Sequence, residues 1–212
     1  MAGHLAAARA STILDLGDGR VLRRFNSGGN PEREATVMRH AAEHGYPVPQ
    51  VLEVQADALV LEKIVGATML KWSLRRPWLI PRQAAGLADL HERLHAIPAP
   101  AELPPAGAGD RLLHLDLHPE NVLISDAGPV VVDWTNARRG EPALDVALTW
   151  VILATSGSAL GRLFARLFVQ HFDRGEVLAA VPAAAEMRLA DPNVTDHERD
   201  LVRRFADEHA SP

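Results

Sequence analysis

The sequence predicts an α+β chain of two lobes, a small antiparallel β-rich N-lobe over residues 1–66 and a mainly helical C-lobe over residues 67–212. Three observations predict it. Short apolar runs joined by turn residues fill the first third of the chain. A single capped helix interrupts them at Asn30-Pro31. Beyond Gly66 the apolar spacing changes from strand-like to helical.

The elements follow in order. Thr12–Leu16 and Arg20–Phe25 flank Gly17-Asp18-Gly19, the pattern of a hairpin. The helix runs from Pro31 to His44, with Ala35, Met38, Ala41 and Ala42 at helical spacing, and stops at Gly45. Pro47 and Pro49 force an extended segment. Val51–Val54 and Ala58–Ile64 read as a second strand pair that turns near Ala56-Asp57. In the C-lobe Gln83–Ile97 is an amphipathic helix with Leu87, Leu90, Leu94 and Ile97 on one stripe. Residues 98–109, rich in Pro, Ala and Gly, form a loop. Val122–Ser125 and Val130–Val132 flank another turn, and the chain is helical from Ala143 onward, with breaks at Ser156-Gly157-Ser158 and Asp191-Pro192-Asn193.

Composition narrows the function. The 212 residues are 47% hydrophobic and 23% charged, enough to bury a core. A net charge of −5 gives no basic face for nucleic acid. The absence of cysteine excludes disulfides, thiolate nucleophiles and Cys-ligated zinc. The N-terminus lacks the apolar core of a signal peptide, and Leu144–Ala154 is interrupted by Asp145 and Thr149. A cytoplasmic protein without membrane or nucleic-acid partners is expected, as monomer or homodimer.

The chemistry lies between Arg111 and Trp134. His114, Asp116, His118, Glu120 and Asn121 crowd between apolar runs, and Asp133 ends the run Val130-Val131-Val132. A carboxylate at the tip of a buried strand needs a positive partner, and a divalent cation is one. Phosphoryl transfer needs a carboxylate to orient the attacking hydroxyl and hard oxygen ligands to hold Mg²⁺. Asp116 fits the first role as catalytic residue. Asn121, five residues later, and Asp133 fit the metal ligands.

These residues carry a resemblance. HLDLHPENVL (His114–Leu123) followed by VVVDW (Val130–Trp134) is similar to the aminoglycoside phosphotransferase and choline-kinase-like family, relatives of protein kinases. The resemblance implies a protein-kinase-like fold and an ATP- and Mg²⁺-dependent phosphotransferase. Its acceptor would be a hydroxyl of a small molecule, whether an aminoglycoside, an amino-alcohol or a sugar-like compound. It implies that Asp145, in Gly140–Ala147, ties down the catalytic loop, and that His114 is structural. His118 would orient the loop. Leu59–Gly66 resembles the last N-lobe strand and hinge, where backbone near Glu62 and Ile64 would bind adenine. Glu34 stands where the ion-pairing glutamate of the N-lobe helix would, and Arg23 where kinases place a lysine for the α- and β-phosphates.

The departures matter. Arg23 or Arg24 must serve where a lysine is usual, and Leu16-Gly17-Asp18-Gly19 is a thin phosphate-covering loop. A nucleotide-binding protein without catalysis therefore stays open as a second reading. A metal-dependent hydrolase using His114, Asp116 and His118 is a third. His91 and His95 read as rim histidines rather than ligands, and Trp72, Trp78 and Trp150 as packing. Arg138-Arg139 reads as surface charge or a phosphate contact, and the acidic positions near Glu186 and Asp191 as solvated helix faces.

Overall fold

The computed structural model describes residues 3–7, 11–26 and 29–209. The N-terminal sheet has five antiparallel strands: β1 (Gly3–Ala7), β2 (Ser11–Asp15), β3 (Arg20–Phe25), β4 (Val51–Val54) and β5 (Ala58–Glu62), in the spatial order β1-β2-β3-β5-β4. The hairpin expected at residues 12–25 is β2–β3, in register from Ser11 opposite Phe25 to Asp15 opposite Val21. β1 was not read from the sequence. Its presence makes Arg20–Phe25 the third strand and makes Gly17-Asp18-Gly19 the β2–β3 turn. That turn lies at the hinge end of the sheet, where the Gly19 carbonyl accepts from the Lys63 N–H at 2.9 Å. The reading of Leu16–Gly19 as the phosphate-covering loop is therefore corrected, because in the resembled fold that loop joins the first two strands.

Helix α1 (Pro31–Glu43) docks on this sheet. Asn30 caps it by accepting from the Arg33 N–H at 2.9 Å, and Pro31 fills the first position, where no amide is needed. Gly45 follows its end at φ 74°, a conformation glycine adopts without strain. β5 ends at Glu62, two residues before the expected boundary, because the chain then leaves the sheet for the connection to β6 (Ala67–Thr68). A Cβ at Gly66 would collide with the Ile124 carbonyl, so only glycine lets this connection pass so close to the strand at Val122–Ser125.

Residues 67–82 hold more structure than expected: α2 (Met69–Arg75), a 3₁₀ turn (Pro77–Leu79) and the first turn of α3 (Ile80–His95). The predicted stripe of Leu87, Leu90, Leu94 and Ile97 is buried. Trp150 is also buried, but Trp78 is 72% exposed, so the packing assignment fails there. Two small antiparallel sheets follow. β7 (Arg111–Leu113) pairs with β10 (Arg138–Gly140), and β6, β8 (Val122–Ser125) and β9 (Gly128–Val131) form the second.

Helix α4 (Pro142–Ala154) is apolar on nearly every side and sits at the centre of the C-lobe. It packs against α5 (Ala159–Val169) and α6 (Arg174–Ala190), and α7 (Asp196–His209) closes the far side. Val146, Ala147, Val151, Phe164, Phe168, Val181 and Ala184 make this core. No helix of the described residues is long and apolar enough to cross a membrane.

Candidate active site

The loop between β7 and β8 is built around a buried carboxylate. Asp145, in the first turn of α4, accepts the backbone N–H of His114 at 3.0 Å and of Leu115 at 2.8 Å. His95 Nε2 donates to the same carboxylate at 3.1 Å. Burial alone would raise the Asp145 pKa. The His95 hydrogen bond, the nearby His91 and the backbone donors outweigh burial and hold the group well below the usual carboxylate range. His91 and His95 are thus not rim residues, which corrects the sequence reading. His91 is fully buried, with Nε2 near the Leu117 carbonyl and the Thr149 hydroxyl. Burial lowers its pKa to about 3, so it is neutral. The signal was present in the spacing, since positions 91 and 95 share one helical face with the apolar stripe.

Held this way, Leu115 takes φ 60°, a left-handed conformation that costs a branched residue about 1–3 kcal/mol. The turn brings Asp116 to the wall of a cavity of about 870 Å³. Asn121 then fixes Asp116, its Nδ2 donating to the Asp116 carbonyl at 2.8 Å and to Oδ2 at 3.0 Å. This leaves the Asn121 amide oxygen as the atom available to a cation. His118 Nδ1 accepts from the Glu120 N–H at 3.3 Å, so its proton sits on Nε2, which lies 3.4 Å from Asp116 Oδ1. His118 therefore steadies the Asp116 carboxylate.

His114 is buried against the ring of Trp134, at a centroid distance of 4.8 Å, with Nε2 3.2 Å from the Val132 carbonyl. Burial lowers its pKa and makes it a neutral donor there. It turns away from Asp116 and His118, so the three groups do not converge as the ligand set of the hydrolase reading requires.

Asp133, just beyond β9, also has a left-handed backbone, φ 68°. Its Oδ1 accepts from Arg23 Nη2 at 2.5 Å and lies 3.1 Å from the Thr135 hydroxyl oxygen. Arg23 Nη1 lies 2.8 Å from Glu34 Oε1. The strand alternation is thereby resolved: Arg23 faces inward at 4% exposure, whereas Arg24 faces solvent beside Asp57. Burial alone would lower the Arg23 pKa, but the two carboxylates raise it. Burial raises the Glu34 pKa by more than Arg23 offsets. At Asp133 Arg23 outweighs burial, and the pKa falls below the ordinary value. The less buried carboxylate is the better ionised. Glu34 also accepts from the Thr135 hydroxyl at 2.9 Å and the Trp134 N–H at 3.3 Å, tying α1 to the segment after Asp133.

Glu62 and Ile64 lie apart from this cluster, at the end of β5. The Glu62 N–H donates to the Gln50 carbonyl at 2.9 Å, and the Glu62 carboxylate accepts from the Gln50 N–H at 3.2 Å. Sequence reasoning missed Thr135, and it missed the far wall of the cavity: Leu148, Ile152, Met187, Arg188, Asp191 and Asn193. Asp191 had been read as part of a solvated face.

The five-stranded antiparallel sheet and the helical lobe define the class: a two-lobed protein-kinase-like fold. The model of the phosphotransferase enzyme family (APH) matches residues 6–112 and 68–188. The chain belongs to that family. Among solved structures, a thermostable mutant of aminoglycoside phosphotransferase APH(4)-Ia is similar, with a TM-score of 0.77 at 16% identity, covering 100% of this chain and 96% of that one. A choline/ethanolamine kinase family protein from Mesorhizobium loti has a TM-score of 0.65 at 19% identity, covering 100% and 89%. Both likenesses concern the fold. Thiamine kinase of Salmonella newport is 36% identical over 61 residues, 26% of this chain and 22% of that protein, so the match spans about a fifth of the thiamine kinase.

Proposed function

We propose that the chain is an ATP-dependent phosphotransferase that moves the γ-phosphoryl group to a hydroxyl of a small molecule. The observation that carries this reading is that Asp116 and Asp133 line one cavity, with Asn121 hydrogen-bonded to Asp116 and the inward arginine of the third strand bonded to Asp133. The nucleotide would lie between the β-rich lobe, residues 1–66, and the helical lobe, residues 67–212, with adenine at the Glu62 carbonyl and the Ile64 N–H. Arg23, braced by Glu34, supports the α- and β-phosphates. Asp116 accepts the proton of the attacking hydroxyl while its oxygen bonds to the γ-phosphorus. The bond from that phosphorus to the β,γ-bridging oxygen breaks, and ADP leaves with the electron pair.

The donor set fits Mg²⁺ by its chemistry, because the Asn121 amide oxygen and the Asp133 carboxylate are hard oxygen ligands and would hold the ion. When bound, the ion offsets charge on the phosphate oxygens. A supply of ATP and Mg²⁺ supports a cytoplasmic setting. Mass-detected transfer from ATP across a panel of aminoglycosides, amino-alcohols and sugars tests the function. Absence both of turnover and of Mg²⁺-dependent nucleotide binding would sink it.

The burial of Arg23 on Asp133 favours a second reading, a nucleotide-binding protein without catalysis. ATP binding that is unchanged in Asp116→Asn, together with no turnover in the parent chain, would select it.

A further inference from the structure

Most charges of the cavity beside Asp116 are already answered. Its walls are the catalytic loop, the segment after Asp133, α4 and the end of α6. A polycationic acceptor such as an amino sugar needs unpaired carboxylates opposite the transfer site. Asp191 is taken: it lies 3.1 Å from Arg188 Nη1, and its Oδ1 accepts the Asn193 N–H at 2.8 Å and side-chain amide at 2.9 Å. Asp133 is held by Arg23 at 2.5 Å. Asp116 and Asn121 serve the transfer itself. Glu120 alone is left, exposed at the rim.

The opposite charge is the one without a partner. Arg138 lines the cavity, and its guanidinium donates only to the backbone carbonyls of Asn136 at 3.2 Å and Ala137 at 2.9 Å. No carboxylate meets it among the described residues. Partial burial, with Arg33 nearby, disfavours its charge, so an incoming anion would relieve an existing cost. The remaining wall is apolar: Leu115, Leu148, Ile152, Met187 and Ala190.

Resting on the phosphotransferase reading of Asp116, we propose that the acceptor is an amphipathic hydroxy acid. Its hydroxyl meets Asp116, its apolar body lies against Leu148, Ile152 and Met187, and its carboxylate or other acidic group pairs with Arg138. Polycationic amino sugars are rejected, for want of carboxylates and for the polar groups they would leave unpaired against α4 and α6.

The test pairs two readouts. Transfer from ATP is followed by mass detection for hydroxy acids with alkyl or aryl bodies, for the neutral alcohols matched to them, and for aminoglycosides. Binding of the same compounds is followed by saturation-transfer NMR, which needs no turnover. The acids are expected to bind and react about ten-fold or more better than the neutral alcohols, the size of one charged hydrogen bond. Arg138→Gln should abolish that preference with KM for ATP unchanged, and Met187→Glu should weaken every apolar-bodied acceptor. Aminoglycosides preferred over the acids would overturn the proposal. So would an Arg138→Gln variant that raises KM for ATP and keeps the acid preference, since Arg138 would then serve the nucleotide. Acid-selective binding without any transfer leaves the acceptor assignment standing and removes the phosphotransferase reading instead.

Discussion

Arg23 and Asp133 are 110 positions apart in the chain and 2.5 Å apart in space. Through this contact and the Glu34 pair, the third strand, the N-lobe helix and the metal-ligand segment share one guanidinium. Arg23→Ala would leave two carboxylates facing each other without a counter-charge. A loss of about 3–5 kcal/mol is expected, the usual cost of removing one partner from a buried pair. Arg23→Lys should recover only part of it, because an ammonium cannot reproduce the planar fork. Urea denaturation measures both, and a stable Arg23→Ala variant would show that the contact is dispensable.

Asp116→Asn keeps the shape of the loop and removes the proton acceptor. A fall in kcat of about 10²–10⁴-fold is expected, with KM for ATP unchanged. Comparable loss of ATP affinity would mean that Asp116 acts through the nucleotide.

Asn121→Ala removes the proposed metal ligand and also frees the Asp116 carboxylate. The Mg²⁺ concentration for half-maximal rate should rise by about 10–100-fold, the range for disturbed metal sites. EDTA should abolish turnover in the parent chain, reversibly. A rate that is independent of Mg²⁺ would contradict the ligand assignment.

His91 gives stability a pH dependence of known sign. Its folded pKa of about 3 lies below the ordinary histidine value of about 6.5. Between these values the unfolded chain binds a proton that the folded chain refuses, so stability falls as pH drops from neutrality. The cost is about 2 kcal/mol at pH 5. His114, also lowered by burial, acts in the same direction. His91→Gln should be less stable than the parent at pH 7 but flatter with pH. An equal slope in the variant, read by denaturation at several pH values, would refute the assignment.

The transfer residues were legible because they are local. His114 to Asn121 and Val130 to Trp134 are short stretches whose order and spacing survive in one sequence. Asp145 was legible too, at the start of an apolar helix. The choice of Arg23 over Arg24 came from the family resemblance alone, since alternation says only that the two oppose each other, and the sheet's docking on α1 decides which is inside. His91 was misread for a similar reason. A histidine beside an apolar stripe is exposed unless a second helix covers it, and the cover here is Thr149 of α4 and Phe168 of α5. β1 escaped notice because five residues without a turn signal make no pattern of their own.

The far wall of the cavity formed by residues 187–193 lies more than fifty residues beyond Asp133 and, among the described residues, shares no backbone hydrogen bond with the loop between β7 and β8. It is held instead from behind, by Arg199 of α7, which donates to the Leu189 and Asp191 carbonyls. On the proposed reading, the transfer groups lie within residues 114–133 while this part of the far wall comes from residues 187–193, so substitutions at 187–193 are expected to change which molecules fit without touching the transfer groups.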